Sequence, residues 1–143
     1  MKYCYEYPRA LVTVDAIIID DSTMNNILLI ERKNDPYRSM WALPGGFIEM
    51  DENLEDSVKR EVLEETSLTG IEFKQFRAFG NINRDPRGRN IVIVFYGFCK
   101  NPELARAGDD ANNAKWFGFD DLPELAFDHS EILKSFKNSI KLK

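Results

Sequence analysis

Residues 44–68 read PGGFIEMDENLEDSVKREVLEETSL. The segment opens on Pro44-Gly45-Gly46, the strongest turn signal in the chain. Residues 53–66 then hold no Gly or Pro and carry Leu54, Val58 and Val62 at four-residue spacing, which predicts a helix with one apolar face. Its first half explains itself locally. Glu55 faces Lys59 and Asp56 faces Arg60 at i,i+4, and acids suit the positive end of a helix dipole. The second half does not: Glu64 and Glu65 sit at the negative end, and Glu61 stands three and four residues before them. Such like-charge pairs cost about 0.2–0.5 kcal/mol each.

With Glu61 at zero and about 100° per residue, Glu65 falls at about 40° and Glu64 at about 300°, beside Leu54 and Val58 at about 20° and 60°. The three carboxylates thus continue the core-facing stripe. A solvated charge run would favour the opposite face. No base on the helix is placed to reach them, so the expectation is captured cations. Ligation by oxygen alone points to Mg²⁺, with Mn²⁺ the other choice, and the Gly-Gly backbone offers a further hard carbonyl oxygen.

Outward from this segment, Leu11–Ile19 is β-branched and apolar and reads as a buried strand, followed by a short strand Ile27–Ile30. Ile71–Phe79 and Asn90–Cys99 read as long strands joined by Asn81–Arg89, and Lys115–Phe119 as another. Asp128-His129-Ser130-Glu131 has the acid-x-x-Glu form of a helix start, and a last helix runs toward Leu142. The fold class is α/β or α+β with a mixed sheet. Neither a repeat nor a linker divides the chain, so residues 1–143 are expected to form one domain.

Composition narrows the function. The net charge is −5 from 19 bases and 24 acids. Residues 51–65 hold seven acids against two bases, which accounts for all of it, and the remainder is neutral. With no general basic field, binding to a nucleic-acid backbone is not expected. No apolar run approaches the roughly 20 residues of a membrane span, and the first residues lack a secretory h-region. Cys4 and Cys99 suit a reducing compartment, and a cytoplasmic location is expected. A single His excludes a His-rich Zn site and makes His-dependent triads remote.

Gly46, five residues, Glu52, seven residues, then Arg60-Glu61-Val62-Leu63-Glu64-Glu65-Thr66-Ser67-Leu68 closely resembles the Nudix box, G-x5-E-x7-R-E-U-x-E-E-x-G-U with U aliphatic. Ser67 stands where that pattern usually has Gly, a position suited to a left-handed residue after the helix, so Ser either costs about 1 kcal/mol there or ends the helix differently. Trp41–Phe47, Arg84–Arg89, Gly108–Ala111 and Leu125–His129 resemble the ADP-ribose pyrophosphatase group of the family. The resemblance implies an α/β/α sandwich around a mixed sheet, and hydrolysis of a nucleoside diphosphate derivative, with ADP-ribose giving AMP and ribose 5-phosphate. It implies metal ligation by Glu61 and Glu65, Glu64 as ligand or partner of the reacting water, and the Gly45 carbonyl completing the shell. Glu52 and Arg60 would pair to fix the loop on the helix beside Gly46. Related regulators append a DNA-binding winged helix to a similar domain. The 143 residues leave no room for one, which favours an enzyme over a sensor. A nucleoside triphosphate pyrophosphohydrolase is the enzymatic alternative, and relatives often pair as homodimers.

Outside the box, Asp85-Pro86-Arg87-Gly88 has the form of a type I turn and is expected to display Arg84, Arg87 and Arg89 together, as forks suited to phosphate. Arg32, at a strand end, is a further candidate for substrate contact. Asp110, in a loop before a strand, is the candidate extra acid, with Glu103 its rival. His129, in a helix first turn, reads as a surface or capping residue. One of Trp41, Phe47, Phe79 and Phe127 is a candidate to stack on a base.

Overall fold

Thr13 to Asp20 are all buried, so the first strand, β1 (Leu11–Asp20), must be covered on both faces. The computed structural model describes residues 2–108 and 111–140. The other elements are β2 (Asn26–Arg32), β3 (Trp41–Ala42), β4 (Gly45–Phe47), α1 (Leu54–Thr66), β5 (Lys74–Phe79), β6 (Asn90–Cys99), a 3-10 turn at Pro102–Leu104, β7 (Ala111–Gly118) and α2 (His129–Ser139). The strands form one seven-stranded sheet in the order β3-β2-β1-β6-β5, with β4 also on β1 and β7 on β2. β1 and β6 run parallel from Leu11↔Asn90 to Asp20↔Cys99, and the other pairings are antiparallel. The sheet is mixed, as expected.

Side chains of β1 alternate between two cores. Ile17 and Ile19 join Ile132, Leu133 and Phe136 of α2. Val14, Ala16 and Ile18 join Val58 and Val62 of α1. A helix therefore covers each face, giving the α/β/α sandwich.

Four departures from the sequence reading have local causes. Gly45-Gly46, read as a turn, begins β4 on β1, with Asp15 opposite Gly45 and Val14 opposite Gly46. A Cβ at Gly45 would lie 2.1 Å from the Val14 carbonyl oxygen and from Asp15 Oδ1, so only glycine lets this strand in. The strand expected from Ile71 starts at Lys74, because Ile71 and Glu72 are laid against Gly97 where a Cβ would meet them at 2.6 and 2.8 Å. β7 starts earlier than expected, its bulged end pairing Ala111 with Arg32. Asp128 precedes α2 but makes no capping hydrogen bond, since its carboxylate is taken by Arg84. Ser67 caps α1 in the left-handed conformation, φ 66°, and its N–H donates to the Leu63 carbonyl at 3.0 Å. The serine thus carries the strain that glycine would avoid.

Candidate active site

β2 and β4 share one edge of β1 and diverge along it, Ile19 pairing with Ile27 and Thr13 with Phe47. A pocket lies in this divergence, with Asp15, Leu43 and His129 among the residues that line it, and Gly45, Gly46 and Glu65 with them. Arg32, Arg84, Arg87, Phe47 and Phe127 also line it.

Two of the helix carboxylates lie against β4, and Arg60 of the same helix reaches the third. The Gly45 N–H donates to Glu65 Oε1 at 2.7 Å, and Glu65 is buried. A Cβ on Gly46 would fall 2.6 Å from the Glu61 carboxyl carbon, so the missing side chain makes the cradle in which that carboxylate lies. Arg60 Nη1 donates to Glu61 at 2.9 Å and to Glu64 at 3.3 Å. This last contact corrects the expectation that no base on the helix could reach the trio. Arg60 does not pair with Asp56 along the helix. Its Nε and Nη2 grip Glu52 at 2.8 Å each, and Nη2 also donates to the Phe47 carbonyl. Glu52 in turn accepts from Ser57 Oγ and the Glu49 N–H, and the hydrogen bonds from Arg60 and Ser57 hold its carboxyl down at about 2. Arg60 is correspondingly pushed up, first by its hydrogen bond to Glu52.

Glu64 is half-exposed, whereas the Glu61 side chain is only 12% exposed. The expectation that Glu64 continues the core-facing stripe does not hold: at about 300° it lies on the far side of Glu61 from Val58, and there it turns toward solvent. Among the described residues, no three acidic, His or Cys side chains converge on one point. The apposed donors are nonetheless carboxylate and backbone oxygens beside a glycine cradle, a set whose chemistry fits a hard divalent cation.

The arginines separate. Arg84 is buried, and its fork meets the Asp128 carboxylate at 2.9 and 2.7 Å; burial opposes its charge, but Asp128 prevails and pushes it up. Arg87 points into the pocket, its guanidinium 4.8 Å from the Phe47 ring centre and 5.4 Å from that of Phe127. It also binds Asp85 through Nε and Nη2, beside Asn90 Nδ2. Burial opposes the charge on Asp85, yet the bonds from Arg87 and Asn90 outweigh it and hold that carboxyl at about 2. Arg89 does not join them: its Nη1 donates to the Gly80 carbonyl at 2.7 Å, outside the pocket. Arg32 lies over Phe127 at 5.0 Å, and is pushed down by burial and then by the nearby Arg87.

His129 is not a surface residue. It is 4% exposed, and its Nδ1 accepts the Leu43 N–H at 3.0 Å while Nε2 faces Asp15 Oδ2 at 3.1 Å. The clue available beforehand was Asp15 itself, an acid inside the apolar run Val12–Ile19, which must find a partner when buried. Of the four candidate rings, Phe47 and Phe127 line the pocket, whereas Trp41 and Phe79 pack on the α2 core. Asp110 lies outside the described residues. Gly108, shortly before it, sits on the end of α1, where a Cβ would collide with the Glu64 carbonyl. Glu103 is exposed on the 3-10 turn and does not line the pocket.

The model of the NUDIX domain matches residues 9–136. The chain belongs to the Nudix family. It is 45% identical over 130 residues to an ADP-ribose pyrophosphatase of Methanocaldococcus jannaschii, covering 91% of this chain and 75% of that protein. It is 35% identical over 134 residues to the ADPR responsive transcriptional repressor NtrR of Acinetobacter baylyi, covering 90% of this chain but only 54% of the repressor. The NUDIX domain of Shewanella oneidensis NrtR, crystallised with ADP ribose, superposes with a TM-score of 0.83 at 29% identity, over 93% of this chain and 90% of that one. Nudix hydrolases generally use a divalent metal, in keeping with the oxygen-rich set around Gly45. No helix among the described residues is long and apolar enough to cross a membrane.

Proposed function

We propose that this Nudix domain, residues 1–143, is a Mg²⁺-dependent pyrophosphohydrolase that cleaves ADP-ribose to AMP and ribose 5-phosphate. The observation that carries the reading is the apposition of the α1 glutamates to the Gly45-Gly46 strand beside a pocket that also holds Arg32 and Arg87. Glu61, Glu65, Glu64 and the Gly45 carbonyl are the groups that would hold the cation. Bound there, a divalent ion supplies charge neutralisation to the diphosphate and lowers the pKa of the attacking water.

The remaining work falls to the chain. Arg32 and Arg87 bind diphosphate oxygens, and the arginine fork suits that geometry. Arg84 is already matched to Asp128 and anchors the loop that carries Arg87. Phe47 and Phe127 offer the faces against which a base can stack. Glu64, the most exposed of the trio, takes a proton from the attacking water, with Asp110 the second acid proposed for this role. The water oxygen bonds to one phosphorus as the bridging P–O bond breaks, releasing AMP and ribose 5-phosphate.

Two observations favour the ADP-ribose assignment: the pyrophosphatase relative at 45% identity and the ADP ribose in the co-crystal of a similar domain. The repressor relative supports a second reading, an ADP-ribose sensor without turnover. Incubation with ADP-ribose and Mg²⁺ separates them. Release of AMP is expected; tight binding with no product would favour the sensor, and turnover of nucleoside triphosphates in preference would replace the substrate.

A further inference from the structure

We propose that His129 is a positioning residue for the Gly45 backbone, acting from behind the pocket through Leu43 and Asp15. The inference rests on the proposed metal-dependent reading of this site for its functional consequence, and on the geometry alone for its structural one.

The hydrogen bonds assign the imidazole a single state. A backbone N–H can only donate, so Nδ1, which takes the Leu43 N–H, carries no proton. Nε2 faces the Asp15 carboxylate and must then carry it, or two lone pairs would oppose each other. The ring is thus a two-ended brace: it donates to the centre of β1 and accepts from the residue just before Pro44.

The segment beyond is fixed at successive groups. The Pro44 carbonyl accepts from the Ala16 N–H at 2.8 Å, and the Gly45 N–H is spent on Glu65. Pro44 offers no donor, so His129 secures the last backbone N–H before the Gly45 peptide. The brace is itself well founded. Ala126 donates to the Trp41 carbonyl of β3, and Asp128, next to His129, closes the buried pair with Arg84. A helix start, a central strand and the glycine strand are coupled through one ring. Without it, the Leu43 N–H and the Asp15 carboxylate lose their partner in the core, and the loop turns to satisfy them, taking the Gly45 carbonyl and the carboxylate of Glu65 with it.

The test compares wild type with His129→Leu, which removes both ends of the brace, and His129→Asn, whose amide oxygen can still accept from Leu43. Phe136→Leu, in the α2 core away from the pocket, is the control for lost stability. Two quantities are read on folded protein: the ¹H–¹⁵N resonances of Gly45 and Gly46 without metal, and Mn²⁺ affinity by titration. His129→Leu is expected to move both resonances and weaken Mn²⁺ at least about tenfold, a loss typical of groups that orient metal ligands. His129→Asn should recover part of each, and Phe136→Leu should change neither at temperatures where it is folded. If His129→Leu does not fold, the His129→Asn comparison stands in its place, with a smaller displacement expected. Unmoved glycine resonances in a folded His129 variant, or an equal Mn²⁺ loss in Phe136→Leu, would overturn the proposal. Failure of the enzymatic reading looks different: wild type would leave ADP-ribose intact or not bind Mn²⁺ while the glycine resonances still answered to His129.

Discussion

Replacing Gly46 by Ala should separate activity from stability. The added Cβ would lie 2.6 Å from the Glu61 carboxyl carbon and Oε1, and 2.7 Å from Oε2. Carbon contacts settle at about 3.5 Å or beyond, so the carboxylate must retreat by roughly 1 Å. It can do so, because it is the end of a flexible side chain and the backbone at Gly46 is ordinary strand. The fold should therefore lose no more than about 1 kcal/mol, since the stiffer unfolded chain returns some 0.4–1 kcal/mol. The retreat breaks the 2.9 Å contact with Arg60 and misplaces a proposed metal ligand. A misplacement of about 1 Å is worth on the order of 100-fold in rate. Gly45→Ala makes the contrast. Its Cβ would meet the Val14 carbonyl and the Asp15 Cα, at 2.1 and 2.8 Å, which are backbone and cannot swing away. That variant should lose about 1–3 kcal/mol or more of stability. Thermal melts and kcat/KM for ADP-ribose measured on both variants decide the matter. A folded Gly46→Ala enzyme within threefold of wild type would remove Glu61 from the reaction site.

Other expectations follow from the same contacts. Ser67→Gly relieves a left-handed serine and should raise stability by about 1 kcal/mol in a denaturant melt. Glu65→Gln keeps an oxygen to accept the Gly45 N–H but loses a ligand charge, so turnover should fall at least about 100-fold with the melting temperature little changed. Arg32→Ala should raise KM for ADP-ribose about 10–100-fold through a lost charge-assisted contact, whereas Arg89→Ala, outside the pocket, should stay within about twofold. The carboxyl of Asp85, held at about 2 below its ordinary 3.8, contributes stability that is complete above pH 4 and lost as pH falls toward 2; Asp85→Asn should flatten the melting temperature across that window.

Much of this was legible because it is periodic or local. The bounds of α1 and β6, and the strand character of β1, follow from residue spacing and side-chain branching, whereas the left-handed position of Ser67 is one of the two endings that the glycine of the Nudix pattern suggests. The illegible parts depend on partners far away in sequence. Asp128 looks like a cap until Arg84, 44 residues earlier, claims its carboxylate. His129 looks like a surface residue in a first helical turn until Asp15 of β1 and Leu43, in the link between β3 and β4, converge on it. The basic cluster Arg84–Arg89 reads as one feature, yet its three side chains part, each to its own acceptor: Asp128 for Arg84, Asp85 for Arg87 and the Gly80 carbonyl for Arg89. Gly45-Gly46 reads as a turn on composition, and only the closeness of β1 at Gly45 and of the Glu61 carboxylate at Gly46 explains why glycine is needed within a strand.

Arg60 eases the repulsion among the α1 carboxylates without removing the need for a metal. Spacing along the helix left the three glutamates with no cation, which by itself would demand one. In the structure one guanidinium serves Glu52, Glu61 and Glu64 together, and its firmest bonds go to Glu52. The one charge of Arg60 does not match these three carboxylates, and Glu65, which accepts the Gly45 N–H and lies in the field of Arg32, adds a fourth. The diphosphate of a substrate is itself anionic, so it is drawn to Arg32 and Arg87 but repelled by the carboxylates until further positive charge arrives. Arg60 therefore organises the carboxylates but does not neutralise them. The physical requirement for divalent ions thus lies in the sum of wall and substrate charge, and it should appear as metal affinity that rises when the nucleotide diphosphate is present.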